Sequence, residues 1–463
     1  MRTFDNKGIL RFMTPLVLGN MLNPLNSTML ATAIVPICSA FKQDIGTGAL
    51  LIVPLYLTSA IGQPLMGRLA DLFSAKKINL LGFILILISA LIGVYAQNFI
   101  WLVVSRIVLG FGSSAAYPSS ITLIRQRYRA LNIEVPGKAL GTIAIASQVS
   151  LAFGPFLGGI LTENFGWKGI FFVNIPLVIL ALILSKNGTG IPEHKAPIKT
   201  SGQLIKELDL SGAFFFSAFL ILFLLTLLYP TYLLLQLPLI MISLSLFIRT
   251  ELRRAKPFIN VRLLTTNLSL SITFMRQIAI SFVMYLVLYG LPQWLEQSKN
   301  INPSKVGLMM LPLSFAAIIT SLLVSKYKNY MRLLTFGTFN IVATSAVLFL
   351  MNTQSTNVII IGTSMLLGIA LGLLTIANQA TLYAEAADDQ VGVSFGLYRT
   401  VGYIGAIIAG SRLKHEFRTG ATDSGLHVLA AYALVASGII ILFIIPALRK
   451  QWKNRTEKLE TIN

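Results

Sequence analysis

The chain has 463 residues, of which 55% are hydrophobic and 12% charged, against about 25% charged in soluble domains. Its 37 Lys and Arg outnumber 17 Asp and Glu, giving a net charge of +20. Those cations are scattered between long apolar runs rather than clustered on one solvated face, which argues against nucleic acid as a partner. The single cysteine, Cys38, excludes an intramolecular disulfide framework.

The apolar runs place the chain in a lipid bilayer. A hydrocarbon core about 30 Å thick needs about 20 apolar residues per helix. Runs of that kind predict spans over 12–38, 48–70, 78–97, 99–124, 138–162, 168–185, 209–229, 231–249, 269–295, 304–325, 332–351, 356–381, 393–413 and 426–447. That makes fourteen, in an all-α polytopic membrane protein. The polar start, Met1–Arg11, has no small-residue cleavage site after a short apolar core, so the first span is expected to be retained rather than removed as a signal peptide. Pro24, Pro54, Pro155, Pro176, Pro238, Pro292 and Pro312 fall within or at the ends of spans, where neighbouring helices can satisfy the freed carbonyls.

Charge sets the expected orientation. With both termini in the cytoplasm, the outer loops hold only Lys42, Lys168, Lys299, Lys305, Arg412, Lys414 and Arg418, and most of the remaining cations face inward. The expected location is therefore the cell membrane. The chain divides into an N-terminal six-helix bundle (1–185), a cytoplasmic linker (186–208) and an inserted transmembrane helix pair (209–249). A cytoplasmic connector (250–268), a C-terminal six-helix bundle (269–447) and a cytoplasmic tail (448–463) follow. Paired six-span halves with a site between them are a common transporter plan.

Three motifs occur in order. Gly67-Arg68-Leu69-Ala70-Asp71-Leu72-Phe73-Ser74-Ala75-Lys76-Lys77 joins the second and third spans. Ser105-Arg106-Ile107-Val108-Leu109-Gly110-Phe111-Gly112 lies in the fourth. Ser150-Leu151-Ala152-Phe153-Gly154-Pro155-Phe156-Leu157-Gly158-Gly159 lies in the fifth. Together they resemble the signature motifs of the major facilitator superfamily, and the last resembles the antiporter signature of its drug/proton exporters. With fourteen spans the chain is similar to the fourteen-helix branch of those antiporters. It departs from the pattern at Leu72, Ser74, Leu109 and Ser150, and Asn26 stands where the first span of that family often carries an Asp.

The residues carry their own chemistry beside the resemblance. Asp71 can meet the positive end of a neighbouring helix dipole, with Gly67, Arg68, Lys76 and Lys77 forming an inner gate; the two lysines read equally as topogenic charge. Gly154, Pro155, Gly158 and Gly159 allow a hinge at the outer gate, or close helix packing. Arg106 sits about two turns into its span, where a charge is costly and usually faces a cavity or a partner. The resemblance gives it a role in proton movement. Arg276, nearer the inner edge, could snorkel to the interface.

No Asp or Glu falls at mid-span. Glu296 and Glu163, at outer ends, are the expected proton-coupling acids, since closure of the gate would desolvate them and disfavour their charge; both also fit an ordinary interfacial belt beside Trp294. His194, His415 and His427 have no ligand spacing, so no metal or cofactor is expected.

For substrate, Asn20, Asn23 and Asn26 share one face of the first span, and Tyr285 and Tyr289 share one face of the ninth. Gln148, Asn378, Tyr398 and Arg399 lie in spans that, by the resemblance, line the central cavity. Each amide also reads as interhelical glue. The expected function is proton-coupled export of amphipathic drugs or similar compounds by alternating access, that is, multidrug efflux and antibiotic resistance. Export of one endogenous metabolite or lipid, or proton-coupled import, remains the alternative. The partners are then a small-molecule substrate, protons and the bilayer, and the sequence leaves the oligomeric state open. No enzyme activity is expected, and no phosphate-binding Gly-x-x-x-x-Gly-Lys-Ser/Thr loop offers ATP drive.

Overall fold

A computed structural model describes residues 6–131, 133, 137–188, 208–254, 257–325, 327, 329–386 and 391–460. Most of the predicted linker lies outside them, as does His194. The described residues are helical throughout, with no strand. In a bilayer this follows from hydrogen bonding, because a helix satisfies its backbone internally.

Helices α1 (Asn6–Met29) and α2 (Ile34–Ala40) are followed by α3 (Val53–Leu72), α4 (Ala75–Val94), α5 (Phe99–Ser114) and α6 (Ala116–Ala130). Next come α7 (Gly137–Phe165), the short α8 (Gly169–Phe172) and α9 (Asn174–Gly188). The inserted segment gives α10 (Leu210–Leu228) and α11 (Leu233–Arg253), and the connector holds α12 (Val261–Thr266). The remainder forms α13 (Leu268–Gln297), α14 (Pro303–Val324), α15 (Tyr330–Leu350), α16 (Asn357–Glu385), α17 (Val391–Glu416) and α18 (Asp423–Glu460). Starts are capped by side chains where the sequence supplies them: Asn98, Asn267 and Asn329 each accept from the backbone N–H three residues on. Pro303 opens α14, where its missing N–H costs nothing.

Among the described residues twelve helices are long and apolar enough to cross a membrane, so the expected count of fourteen is not supported as it stands. Two predicted spans account for the difference. The first is broken: its two pieces are bent by 63° around a 3₁₀ turn at Leu30–Thr32. The thirteenth, over 393–413, is the 26-residue α17, which is not among the twelve. It spends its length on Tyr398, Arg399, Thr400 and Tyr403 as well as apolar residues.

Helices before residue 189 pack mainly on one another: α1 on α7 and α9, α3 on α5, and α4 on α5 and α9. Those after residue 267 do likewise, with α13 on α17 and α18, α15 on α16 and α18, and α14 on α16. Two broad seams join the sets, α7 against α14 and α3 against α17. The pair α10 and α11 pack on each other, and α10 touches α3 and α17. Much of its surface is exposed apolar side chain, Leu234 and Leu235 included, as expected of residues facing lipid.

The seams close most tightly at the predicted outer end. A Cβ on Gly159 would fall 2.3 Å from the Pro303 carbonyl oxygen, and one on Gly307 would fall 2.7 Å from that of Pro155. Only glycine permits this approach. Ser304 Oγ donates to the Gly159 carbonyl at 3.2 Å, Ser314 Oγ donates to the Ala152 carbonyl, and the Gly46 N–H donates to the Phe417 carbonyl at 3.1 Å. Further along α7, by contrast, Ile145 and Gln148 are exposed, and a Cβ on Gly141 would meet nothing within 4 Å.

Candidate functional site

The centre of the molecule is a tyrosine cluster spanning both helix sets. Tyr285 and Tyr289, one turn apart on α13, stack at 6.1 Å between ring centroids. Tyr56 of α3 leans on Tyr285 at 4.7 Å and on Tyr403 of α17 at 5.7 Å. The Tyr56 and Tyr289 hydroxyls lie 3.2 Å apart, and the Tyr289 hydroxyl donates to the Ser27 carbonyl at 2.8 Å. Both tyrosines are fully buried. The pair expected to line a pocket is thus engaged in joining the two helix sets.

The polar residues of α1 face one way but have separate partners. Asn20 donates to the Leu16 carbonyl and to Ser120 Oγ, each at 2.8 Å. Asn26 and Asn174 of α9 exchange amide hydrogen bonds at 2.6 and 2.7 Å. Asn23, half-buried, donates to Ser113 Oγ at 2.6 Å. Asn20 and Asn26 are thus buried and bonded across helices, and Asn23 is the least buried of the three.

Arg106 is 1% exposed. Its Nη1 donates to the Asn26 carbonyl at 3.3 Å, its guanidinium lies 5.0 Å from the Phe171 ring centre, and its Nε has no hydrogen-bond partner. Arg276 is equally buried, so it does not snorkel. Its Nε donates to Asn378 Oδ1 at 3.0 Å and its Nη2 to Thr273 Oγ1 at 2.7 Å. That threonine in turn donates to Glu385 Oε2 at 2.6 Å, while Asn378 Nδ2 reaches the Tyr398 hydroxyl at 3.5 Å. Asn378 and Tyr398 thus hold Arg276 in place within the second helix set. Arg399, the next residue, turns the other way and lays its guanidinium 4.0 Å from the ring centre of Tyr117, on α6 of the first set. Gln148 is exposed.

The two candidate acids differ sharply. Glu296 is 7% exposed, and neither carboxyl oxygen has a hydrogen-bond partner. The α13 end around it is held to α18 and the loop before it: Trp294 Nε1 donates to Asp423 Oδ1 at 2.8 Å, and the Ala421 N–H donates to Gln297 Oε1 at 2.5 Å. Glu163 is exposed and accepts from the Ser304 N–H at 3.2 Å, clipping α7 to α14.

At the predicted inner end, Gly67 lies against Pro118, and Arg68 donates to the Pro257 carbonyl. Asp71 is exposed, with Arg68 and Arg125 in charge range. Lys76 is half-buried and Lys77 exposed, and neither makes a hydrogen bond or ion pair among the described residues. Of the α7 motif, Gly154 and Gly158 press against Thr28, Met29 and Thr32, and the Thr32 hydroxyl donates to the Pro155 carbonyl at 3.1 Å. The motif packs against the break in the first span, an arrangement that suits a hinge as well as it suits packing.

Sequence reasoning missed the inner anchorage of the inserted pair. Asp209, fully buried, caps α10 by accepting from Gly212 N–H at 3.1 Å, accepts from Phe258 N–H at 3.0 Å, and stands 3.6 Å from Arg254. Glu251 accepts from Ile259 N–H at 2.8 Å. Acids at span edges read as solvated termini, and nothing local distinguishes these two. Tyr56, Tyr117, Tyr403 and Asn174 were missed for a related reason, since their partners are remote in sequence.

A multi-span helical protein with paired helix sets and a polar, aromatic seam between them is the architecture of a membrane transporter. Residues 16–410 match the Major Facilitator Superfamily, and the chain belongs to that family. It is 32% identical over 446 residues to the uncharacterized MFS-type transporter YwoD of Bacillus subtilis, covering 94% of this chain and 96% of that one. It is 24% identical to the multidrug efflux pump SdrM of Staphylococcus aureus, covering 93% and 95%, and 25% identical to the riboflavin transporter RibZ of Clostridioides difficile, covering 83% of each. The fold is also that of a solved bacterial homolog of the human lysosomal transporter Spinster, with a TM-score of 0.68, 15% identity and coverage of 96% and 98%. The bacterial relatives point to the cell membrane.

Proposed function

We propose that the chain is a proton-coupled secondary exporter of amphipathic small molecules, working by alternating access. In this reading the helices form two six-helix bundles flanking the inserted pair α10 and α11, fourteen spans in all, with both termini cytoplasmic. The bent pair α1 and α2 serves as one span and α17 as another. The arrangement described above is then the outward-closed state, sealed at Gly159–Pro303 and Gly46–Phe417.

The observation that carries the proposal is Glu296. A carboxyl group so deeply buried, with no donor on either oxygen, is expensive to keep charged. Opening of the outer seam would wet it, and closure would dry it again. Such alternation lets one carboxyl take up a proton on one side and release it as the pocket changes. Arg106, buried beside the tyrosine seal, is the second member of the pathway. Glu163 clips the gate instead, because an exposed acid gains little from closure. Gly67, Arg68, Asp71, Lys76 and Lys77 form the inner gate, and Asn23, Gln148, Tyr398 and Arg399 border the substrate path.

Everted vesicles test this. Export of an amphipathic dye should depend on an imposed pH gradient, and Glu296→Gln should abolish that dependence while leaving substrate affinity within about threefold. Undiminished pH-driven export by Glu296→Gln would overturn the role of this residue. A second reading, export of a single endogenous solute, draws on the name of the riboflavin transporter, and a substrate panel in the same vesicles separates the two.

A further inference from the structure

The charge around the substrate path points to the substrate's own charge. Three arginines, Arg106, Arg276 and Arg399, stand in the interior of the helix sets. The first two are fully buried and hydrogen-bonded to fixed neutral acceptors, and Glu385 lies in charge range of Arg276. Arg399 differs from both. It is half-buried, it makes no hydrogen bond, and no carboxylate lies within ion-pair distance of it among the described residues.

Its surroundings are aromatic. The guanidinium rests on Tyr117, with Tyr285 and Tyr403 in charge range. Tyr383 and Phe395, 4.6 Å apart, flank the same region, with Phe395 6.2 Å from Tyr398. Gly396, Arg399 and Tyr403 share one face of α17, and a Cβ on Gly396 would meet nothing within 4 Å. Space therefore opens beside Gly396, while Arg399 and Tyr403 on the same face lie against Tyr117 and Tyr56 of the first helix set.

Resting on the exporter reading, we propose that Arg399 is the substrate's charge partner, and that the preferred substrates are anionic aromatic amphipaths rather than cations. A guanidinium in a partly dry site stacks on one ring while offering its fork of N–H donors to a carboxylate or sulfonate. Tyr117 holds the cation until an anion arrives. A cationic solute would meet repulsion from Arg399 with no carboxylate among the described residues in ion-pair distance of it to offset that repulsion, since Asn23 and Asn26 are neutral.

Three probes on one scaffold test the idea with the purified full chain: 2-naphthoxyacetate, its neutral amide, and the matching trimethylammonium cation. The carboxylate should bind at least about tenfold more tightly than either of the others, a difference of about 1.4 kcal/mol. Arg399→Gln should remove that preference while holding the amide within about twofold, and Arg399→Lys should keep a preference of the same sign. Wild-type affinity for the cation equal to that for the carboxylate overturns the proposal, whether or not the variants fold. So does an unchanged preference in Arg399→Gln, or failure of all three probes to bind. The exporter reading stands or falls separately. Export of the cation but not the carboxylate under a pH gradient sinks this inference alone. Arg399-dependent carboxylate binding without pH-driven transport of any probe sinks the exporter reading and leaves this one standing.

Discussion

The hydroxyl of Tyr289 on α13 sits 3.2 Å from that of Tyr56 on α3 and also donates to the Ser27 carbonyl on α1. One phenol thus ties the second helix set to two helices of the first. Removing it should loosen the closed arrangement. Tyr289→Phe keeps the ring stack with Tyr285 but loses both bonds, about 0.5–1.5 kcal/mol each. The expected result is several-fold faster thiol labelling of Ser304→Cys, whose side chain faces the Gly159 carbonyl at the predicted outer seam, in a Cys38→Ser background. Unchanged labelling would mean the hydroxyl pair does not hold that seam.

Gly159 should tolerate no side chain. Its backbone meets the Pro303 carbonyl so closely that a Cβ would fall 2.3 Å from that oxygen. Gly159→Val should therefore disfavour the closed seam by about 1–3 kcal/mol and abolish transport while the protein still inserts. The same labelling measurement reads it, with the seam now open. Wild-type transport by Gly159→Val would show that α7 and α14 need not meet there.

The Asn26–Asn174 pair should be structural. Each amide gives and receives one bond inside the first helix set. Asn26→Leu leaves the Asn174 Oδ1 without its donor, while its Nδ2 keeps the Ile170 carbonyl at 3.0 Å, and an unsatisfied buried acceptor costs about 1–3 kcal/mol. Thermal unfolding in detergent should shift to lower temperature, and Asn26→Leu combined with Asn174→Leu should recover part of the loss. A single variant as stable as wild type would place Asn26 in the substrate path instead.

Topology is open to a direct check. Lys195→Cys, in the predicted linker, and Asn300→Cys, in the loop between α13 and α14, should label from opposite sides of the membrane in a Cys38→Ser background. Labelling from one side would contradict the fourteen-span arrangement.

The apolar runs by themselves determined that the chain crosses a membrane and does so as helices, because lipid offers no partner to an unpaired backbone group. Residue spacing also placed Asn20, Asn23 and Asn26 on one face, and Tyr285 with Tyr289 on another. It did not determine what those faces meet. The amide of Asn26 finds a partner 148 residues away and the hydroxyl of Tyr289 one 233 residues away, and helical period specifies a direction without naming the neighbour. Arg276 shows the same division. Its place near a span edge permitted snorkelling, but Asn378, brought alongside by the packing of α16 against α13, and Thr273, one turn back on α13 itself, turn it inward. The break in the first span has both sources: Pro36, just beyond the turn, lacks the N–H that would continue the helix across it, while the glycines of α7 allow its backbone to press against Thr28, Met29 and Thr32, a close approach set by the facing helix rather than by the segment that bends.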